Sequence, residues 1–329
     1  MTRIVLAYSG GLDTSMAIPW LAETYGAEII AVIIDLGQGQ DLEAVRDRAL
    51  ATGALRAHVL DVRDEFARDY IVRALKAGVL CHDGSPLAAA LGRPLIAQTL
   101  VTIAHIEQAT TVAHGDRDGS AAPIDKTVRA LDPMLTVIAP AREWGMTEAQ
   151  QLDYARQRHL ALPAAVAGPD GSAASRAASG SPGEPASVDI TIDRGVPIAI
   201  NGVAMPLVDL VGSLDIIAGA HGVGRVEKVE PSALVALHAA HQELRRATIT
   251  GDAERFSALV AGQYRQIVRD GTWFGPLRQA LDAFIDTIQA RVTGVVRLKL
   301  FKGDCTIVDC QVSTAPATKV VTLANATGH

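Results

Sequence analysis

The sequence predicts an α/β protein that opens with a parallel sheet wrapped by helices and continues into a second region of hairpins and long helices. Three observations predict it. From Arg3 to about Leu162, short β-branched runs alternate with amphipathic stretches, the order that crossover-connected parallel strands produce. Between Pro163 and Pro185 the composition collapses to Ala, Ser, Gly and Pro with neither a helical nor a strand period, as expected of a linker. From Val188 onward, alternating runs and turn dipeptides give way to long helical patterns.

In the first region, strands are expected at Ile4–Ala7, Ile29–Ile34, Ala57–Asp61, Thr110–Ala113 and Thr136–Ala139. Helices are expected at Thr14–Thr24, Leu42–Thr52, Arg63–Ala77, Pro94–Gln108 and Thr147–Arg158. Ligands of such sheets sit at the carboxyl ends of the strands, where residues 8 to 13 fall. Pro19 lies in the early turns of the first helix and is expected to perturb it. In the second region, "VDITID" alternates as a half-buried strand, and "GVPIAING" places a hairpin turn at Asn201-Gly202. Leu207–Ala218 reads as a helix ended by Gly219. Helices follow at Ser232–Thr248, Ala253–Arg269 and Pro276–Arg291, then a hairpin around Lys302-Gly303-Asp304.

The 329 residues suffice for two domains, or for one with a large extension. No uninterrupted apolar run reaches the roughly 20 residues of a membrane helix, and "MTRIVLAYSGG" is too short in apolar residues for a signal-peptide core. A cytoplasmic protein with no membrane partner is expected. Three cysteines, Cys81, Cys305 and Cys310, fit neither a disulfide framework nor a zinc spacing, so reduced thiols are expected. A formal charge of -6 argues against a nucleic-acid partner.

The chemistry concentrates in "AYSGGLDTS", residues 7 to 15. A strand followed by Ser9-Gly10-Gly11 and a helix directs backbone N–H groups and the helix dipole at an anion, phosphate above all. The glycines allow positive φ and close approach, and Ser9, Thr14 and Ser15 add hydroxyl donors. No Lys follows, so this is not the G-x-x-x-x-G-K-[ST] loop. Asp13 adds a carboxylate suited to a phosphate-bridging Mg²⁺.

The full string resembles the pyrophosphate loop of N-type ATP pyrophosphatases, and its flanks resemble argininosuccinate synthases. "DLGQGQDLEAVRDRAL" (35 to 50), "EFARDYIVRALKAG" (65 to 78), "GRPLIAQTLV" (92 to 101), "VAHG" (112 to 115) and "VIAPAREW" (137 to 144) resemble segments of that family in its order. So do "GVPIAING" (195 to 202), "IAGAHGVGRVEKVE" (217 to 230) and "RVTGVVRLKLFKG" (291 to 303). The resemblance implies a HUP-type, PP-loop nucleotide-binding domain over 1–163 and a linker over 164–187. It further implies an α+β synthetase domain over 188–275 and a C-terminal helix-hairpin arm over 276–329 used in a homotetramer. It implies a two-step reaction: the citrulline ureido oxygen attacks the α-phosphorus of ATP, releasing pyrophosphate, and the aspartate amine then displaces AMP. By the same resemblance, the ATP contacts are Ala7, Tyr8, Ser9, Gly10, Gly11, Leu12, Asp13, Thr14, Ser15, Ile34 and Gly115, with Ser9 and Asp13 serving catalysis and Mg²⁺ riding on the phosphates.

The amino-acid half departs from the family pattern. After His114-Gly115 the family carries a threonine, a glycine-lysine-glycine, an asparagine-aspartate pair and an arginine, but here "DRDGSAAPIDKTVRALDP" follows, with Arg117 at the threonine position. No Asn-Asp pair survives, and the gap leaves open whether Arg129 stands for the family arginine. Where the family holds citrulline with a tyrosine and a serine ahead of its Arg-Pro pair, Ser85 and Ala90 stand. The segment with two citrulline-binding serines is replaced by the Ala/Ser/Gly/Pro stretch, and Glu230 passes straight to "PSALVALHAAH". A site built on hydrogen bonds discriminates through such groups. The expected activity is therefore an ATP-dependent, AMP-forming ligase acting on a pair other than citrulline and aspartate. A true argininosuccinate synthase with an unusual site and a silent nucleotide-binding paralogue are the alternatives.

Ser85, Asp116, Arg117 and Asp118 are the candidate acceptor-site residues, with Arg117 meeting a substrate carboxylate; a solvated loop accounts for the last three equally well. His238 and His241 sit three apart on one helical face, but a satisfied packing pair outweighs a metal site without a third ligand. Trp144, Trp273 and Phe274 read as packing anchors, and Cys305 and Cys310 as small apolar fillers.

Overall fold

The computed structural model describes residues 2–82, 85–117, 122–160, 183–223 and 232–313, without the side chains of residues 81, 82, 85, 86 and 88. The expected linker falls mainly on residues 161–182, outside the described residues. The chain divides into two compact units. The first comprises Met1–Arg73, Ser85–Ser179 and Ala261–Leu281, the second Ala74–Gly84, Gly180–Val260 and Asp282–His329.

The first unit is built on a five-stranded parallel sheet. Its strands are β1 (Thr2–Ala7), β2 (Ala27–Asp35), β3 (Arg56–Asp61), β6 (Thr111–Ala113) and β7 (Thr136–Ile138), in the order β3-β2-β1-β6-β7. The two-residue strands β4 (Cys81–His82) and β5 (Ser85–Pro86) intervene in the chain. Both faces of the sheet are covered at its centre, which is why β1 and β2 read as apolar runs. Ile4, Leu6, Ile29, Ala31 and Ile33 pack with Ala17, Ile18 and Leu21 of α1 (Leu12–Tyr25) and Val45 and Ala49 of α2 (Leu42–Ala51). Their alternates Val5, Ile30, Val32 and Ile34 pack with Ala97, Leu100 and Ala104 of α5 (Leu87–Ile106) and Ile124 and Val128 of α6 (Pro123–Leu131).

Between β3 and α5 the helical stretch expected at Arg63–Ala77 forms as α3 (Arg63–Glu65), a π-helical segment Phe66–Ile71 and α4 (Val72–Lys76). The remaining helices of this part are α7 (Pro140–Glu143) and α8 (Glu148–Gln157), the latter opened by a Thr147/Gln150 capping box.

Three expectations need correction. The helix expected at Pro94 begins at Leu87, and Pro94 lies inside it, because burial of Leu87 and Leu91 outweighs one lost backbone hydrogen bond. The first helix runs unbroken through Pro19, buried side chains flanking it on both sides. The helix α6 was not expected; Pro123 at its first turn and the Ile124/Val128 pair are the signals that mark it. α5 is the helix, among the described residues, long and apolar enough to cross a membrane, yet Ala97, Leu100, Val101, Ile103 and Ala104 on it lie in the core.

The second unit carries an antiparallel sheet in the order β10-β9-β8-β11-β12. The strands are β8 (Ala186–Asp193), β9 (Val196–Ile200), β10 (Val203–Ala204), β11 (Gly294–Phe301) and β12 (Asp304–Val312). Two-residue turns at Arg194-Gly195, Asn201-Gly202 and Lys302-Gly303 have positive φ at both positions, the geometry that matches strand twist. β11 pairs with β8, aligning Val296 with Ile190 and Leu298 with Val188, all buried on one face. The helices named after these are α9 (Leu207–Ala220), α10 (Ser232–Thr248), α11 (Gly251–Asp270) and α12 (Pro276–Gln289). α10 packs on β11 and β12. α9 passes through Gly219, correcting the expected stop; Gly222, at φ 77, supplies the left-handed residue instead.

Candidate active site at the β1–β6 junction

In the first sheet β1 is followed by β2 on one side and neighbours β6 on the other, so the connections leaving β1 and β6 part at that junction. Such a reversal opens a crevice at the carboxyl ends of the two strands. The loop 8 to 11 leaves β1 there, and His114–Arg117 leave β6.

The loop's shape follows from its small residues. Gly10 has φ +77, and a Cβ on it would stand 2.9 Å from Arg48 Nη1 and 3.1 Å from Val45. Gly11 caps α1 in extended conformation with no side-chain bond, leaving the first-turn N–H groups of Leu12, Asp13 and Thr14 uncapped by any side chain. Ser9 Oγ lies 3.2 Å from Thr14 Oγ1 and accepts the Gly11 N–H at 3.4 Å, keeping two hydroxyls beside those amides. Ser15 differs from expectation: it is buried and shares a 2.9 Å hydroxyl bond with Tyr8, whose phenol pKa burial raises. Tyr8 and Ser15 brace the loop from inside.

Gly115 brings the second segment onto the first, since a Cβ there would approach Thr14 Cγ2 to 2.9 Å. Two residues on, the Arg117 guanidinium grips the Asp13 carboxylate with two bonds, Nε to Oδ2 at 2.7 Å and Nη2 to Oδ1. Nη2 also donates to Gln151 Oε1 of α8 at 2.8 Å. The bond to Asp13 raises the arginine's already high pKa, so it stays charged. Arg117 thus meets an internal carboxylate where a substrate carboxylate was expected, and the Asp13 carboxylate is shared with it. The planar fork of arginine matches a carboxylate in this bidentate way.

Behind the loop sits a buried triad that sequence reading missed. The Asp116 N–H donates to His114 Nδ1 at 3.2 Å, so the imidazole carries its proton on Nε2 and donates it to Asp125 Oδ1 at 3.0 Å. Arg142 Nη2 donates to the same oxygen at 2.7 Å. Burial works to raise the Asp125 carboxyl, but the His114 and Arg142 bonds outweigh it and hold it at about 2. "VAHG" and "VIAPAREW" contain His114 and Arg142, so the signal was present; the partner Asp125 lay on the unexpected α6.

Other candidates fall elsewhere. Ile34 is buried at the carboxyl end of β2, its carbonyl accepting Gln38 Nε2 at 2.9 Å. Asp116 stands beside His114, and Arg129 is exposed on α6. Asp118 and the Ser85 side chain lie outside the described residues, as does the "GRVEKVE" segment. His241 is buried against Gln289 Oε1 at 3.0 Å, and burial pushes its pKa down to about 3. Among the described residues no three His, Cys, Asp or Glu side chains gather as a metal site. Trp273 is buried and stacks on Tyr70 at 5.0 Å, and Trp144 meets Trp20 edge-on at 5.9 Å. Cys305 and Cys310 are free and half-buried on β12.

Comparison with known proteins agrees with the geometry. The family model described as "Arginosuccinate synthase N-terminal HUP domain" matches residues 3–161, and "Arginosuccinate synthase C-terminal domain" matches residues 160–318. The chain belongs to the argininosuccinate synthase family. The argininosuccinate synthase of Rubrobacter xylanophilus is 40% identical over 93% of this chain and 84% of its own length. That of Dehalococcoides mccartyi is 40% identical over 93% and 86%, and that of Geobacillus thermodenitrificans 38% over 92% and 84%. A solved structure described as a predicted subunit of tRNA methyltransferase from Methanocaldococcus jannaschii reaches a TM-score of 0.35 at 15% identity, over 46% of this chain and 75% of that one, and bears on neither fold nor activity. Argininosuccinate synthases are ATP-dependent, AMP-forming C–N ligases, and ATP is a substrate of the family. The loop fits a triphosphate: uncapped amides, the exposed Ser9 hydroxyl and a glycine of positive φ lie together there, with the buried Thr14 hydroxyl bonded behind Ser9. Both Asp13 oxygens accept from Arg117, so a Mg²⁺ held there would share the carboxylate with a guanidinium cation.

Proposed function

We propose that this chain adenylates a small-molecule acceptor other than citrulline, for attack by a nucleophile other than aspartate, using ATP held on the loop from Ala7 to Ser15. The observation that carries the reading is the pairing of a complete phosphate loop with Arg117, which stands where the family pattern has a threonine and is bound to Asp13. The first-turn amides of α1 and the Ser9 and Thr14 hydroxyls hold the phosphates and stabilise the charge that develops as pyrophosphate leaves. Tyr8 and Ser15 keep the loop rigid, and His114 with Asp125 and Arg142 fixes the Gly115 turn against Thr14. Mg²⁺ is carried on the phosphates of ATP. The synthetase-like part over 188–275 and the arm over 276–329 are assigned to acceptor binding and to a homotetramer in the cytoplasm.

ATP–pyrophosphate exchange tests this reading, run with pools of small carboxylic acids, ureido compounds and amino acids. Exchange stimulated by a compound other than citrulline is expected. Failure of the protein to bind ATP, or exchange with citrulline alone, overturns it. A second reading, argininosuccinate synthesis itself, is favoured by 38–40% identity to named argininosuccinate synthases over more than nine-tenths of the chain. Pyrophosphate release that requires both citrulline and aspartate decides for it.

A further inference from the structure

We infer that Arg117 is the cation that meets the phosphates of ATP and that Asp13 acts through it, as a positioning residue, rather than through a metal ion. The inference rests on the ATP-binding reading of the loop and assigns roles within it. Three observations carry it. The loop contains no lysine, so the charge of a triphosphate has no cation within residues 7 to 15. Arg117 brings one from the neighbouring strand, and its side chain is 52% exposed at the mouth of the crevice. Of the five guanidinium N–H groups, Nε and Nη2 are engaged by Asp13 and Gln151, while the two on Nη1 have no acceptor among the described residues.

An arginine anchored along one edge and open along the other is preorganised. The long side chain has already lost its rotamer freedom to Asp13 and Gln151, so little further ordering accompanies an anion's arrival. Asp13 sits in the first turn of α1, which places the anchored guanidinium beside the N–H groups that would hold the same phosphates. A metal on Asp13 would set a divalent cation beside a guanidinium that already holds both carboxylate oxygens, a like-charge pairing that weakens its binding. A phosphate on Nη1 leaves both bonds in place.

Titration calorimetry with ATP and with inorganic pyrophosphate, at several Mg²⁺ concentrations, tests the assignment in wild type, Arg117→Ala, Arg117→Lys, Asp13→Asn and the Asp13→Asn/Arg117→Ala double variant. Loss of one charged hydrogen-bonding group predicts affinity for both ligands about ten- to hundredfold lower in Arg117→Ala. Partial recovery is expected in Arg117→Lys. Asp13→Asn is expected to weaken binding less than Arg117→Ala, with an unchanged Mg²⁺ midpoint, and the double variant to bind no worse than Arg117→Ala alone. Both sites are at the surface of the crevice, so melting temperatures report whether each variant is folded. Wild-type affinity in Arg117→Ala, or a raised Mg²⁺ midpoint in Asp13→Asn, overturns the inference alone. A wild-type protein that binds neither ligand overturns the ATP reading with it.

Discussion

Arg48 Nη1 donates a 3.0 Å hydrogen bond to the carbonyl oxygen of Gly10, joining the last turn of α2 to the phosphate loop. The C=O and N–H of a trans peptide point in opposite directions. Pinning the Gly10 carbonyl on Arg48 therefore turns the Gly11 N–H the other way, to the side where Ser9 Oγ lies. Replacing Arg48 with Met keeps the apolar stem and releases that peptide. A charged donor's bond contributes about 1.5–3 kcal/mol to the folded state, so the melting temperature should fall, and ATP affinity of the folded variant measured by calorimetry should fall with the loss of the ordered loop.

Gly115→Ala should damage both stability and ATP binding, because its Cβ would meet Thr14 Cγ2 at 2.9 Å. Overpacking of this kind costs about 1–3 kcal/mol. Thr14→Ser removes the offending methyl and retains the hydroxyl. Added to Gly115→Ala, it should recover most of the lost stability in thermal melts, whereas alone it should leave the fold nearly unaffected.

The buried Asp125 ion pair makes stability depend on acid. Its pKa of about 2 lies below the ordinary value of 3.8, so the folded state binds this proton more weakly than the unfolded chain. Its contribution is complete above pH 3.8 and is lost as pH falls through about 2. Asp125→Asn leaves the Arg142 charge without its carboxylate and should lower stability at pH 7 by about 3 kcal/mol. Urea unfolding at pH 7 and near pH 2.5 should show the gap between variant and wild type narrowing in acid.

Glu107 supplies a control at the opposite end of the sheet. It is buried near the amino ends of the strands, accepting Arg56 Nη1 at 2.9 Å and bonding His58 Nε2 at 2.8 Å, while Arg3 donates to its backbone carbonyl at 2.9 Å. Burial opposes its ionisation, and the His58 and Arg56 bonds outweigh that to lower its pKa. Glu107→Ala should lower stability by about 2 kcal/mol and leave ATP affinity unchanged in the folded protein.

The parallel sheet was legible because its central strands β1 and β2 are apolar on both faces and its crossovers carry helical periods, two signals that need no tertiary knowledge. The loop was legible because glycines, hydroxyls and a carboxylate are contiguous from Ser9 to Ser15. What the sequence hid was pairing at a distance. Arg48, Asp125 and Gln151 are ordinary polar residues of helices until the fold sets them against Gly10, His114 and Arg117. Arg117 looked outward, toward a substrate, because nothing local reveals that the Asp13 carboxylate is its neighbour. The Arg194-Gly195 turn was passed over in favour of Asn201-Gly202, whose side-chain type is the stronger turn signal; both take positive φ.

The contact between Asp13 and Arg117 spans 104 positions of the chain. Closing a loop of that length carries an entropic cost that grows with the logarithm of its size, and nothing is recovered until β6 has docked beside β1. On the proposed roles of Asp13 and Arg117, a growing polypeptide has both halves of the nucleotide grip only once the fourth strand of the sheet, β6, is in place. ATP added during refolding should accordingly leave the earliest collapse untouched and favour only states in which β6 has docked beside β1, making nucleotide binding a marker of that docking.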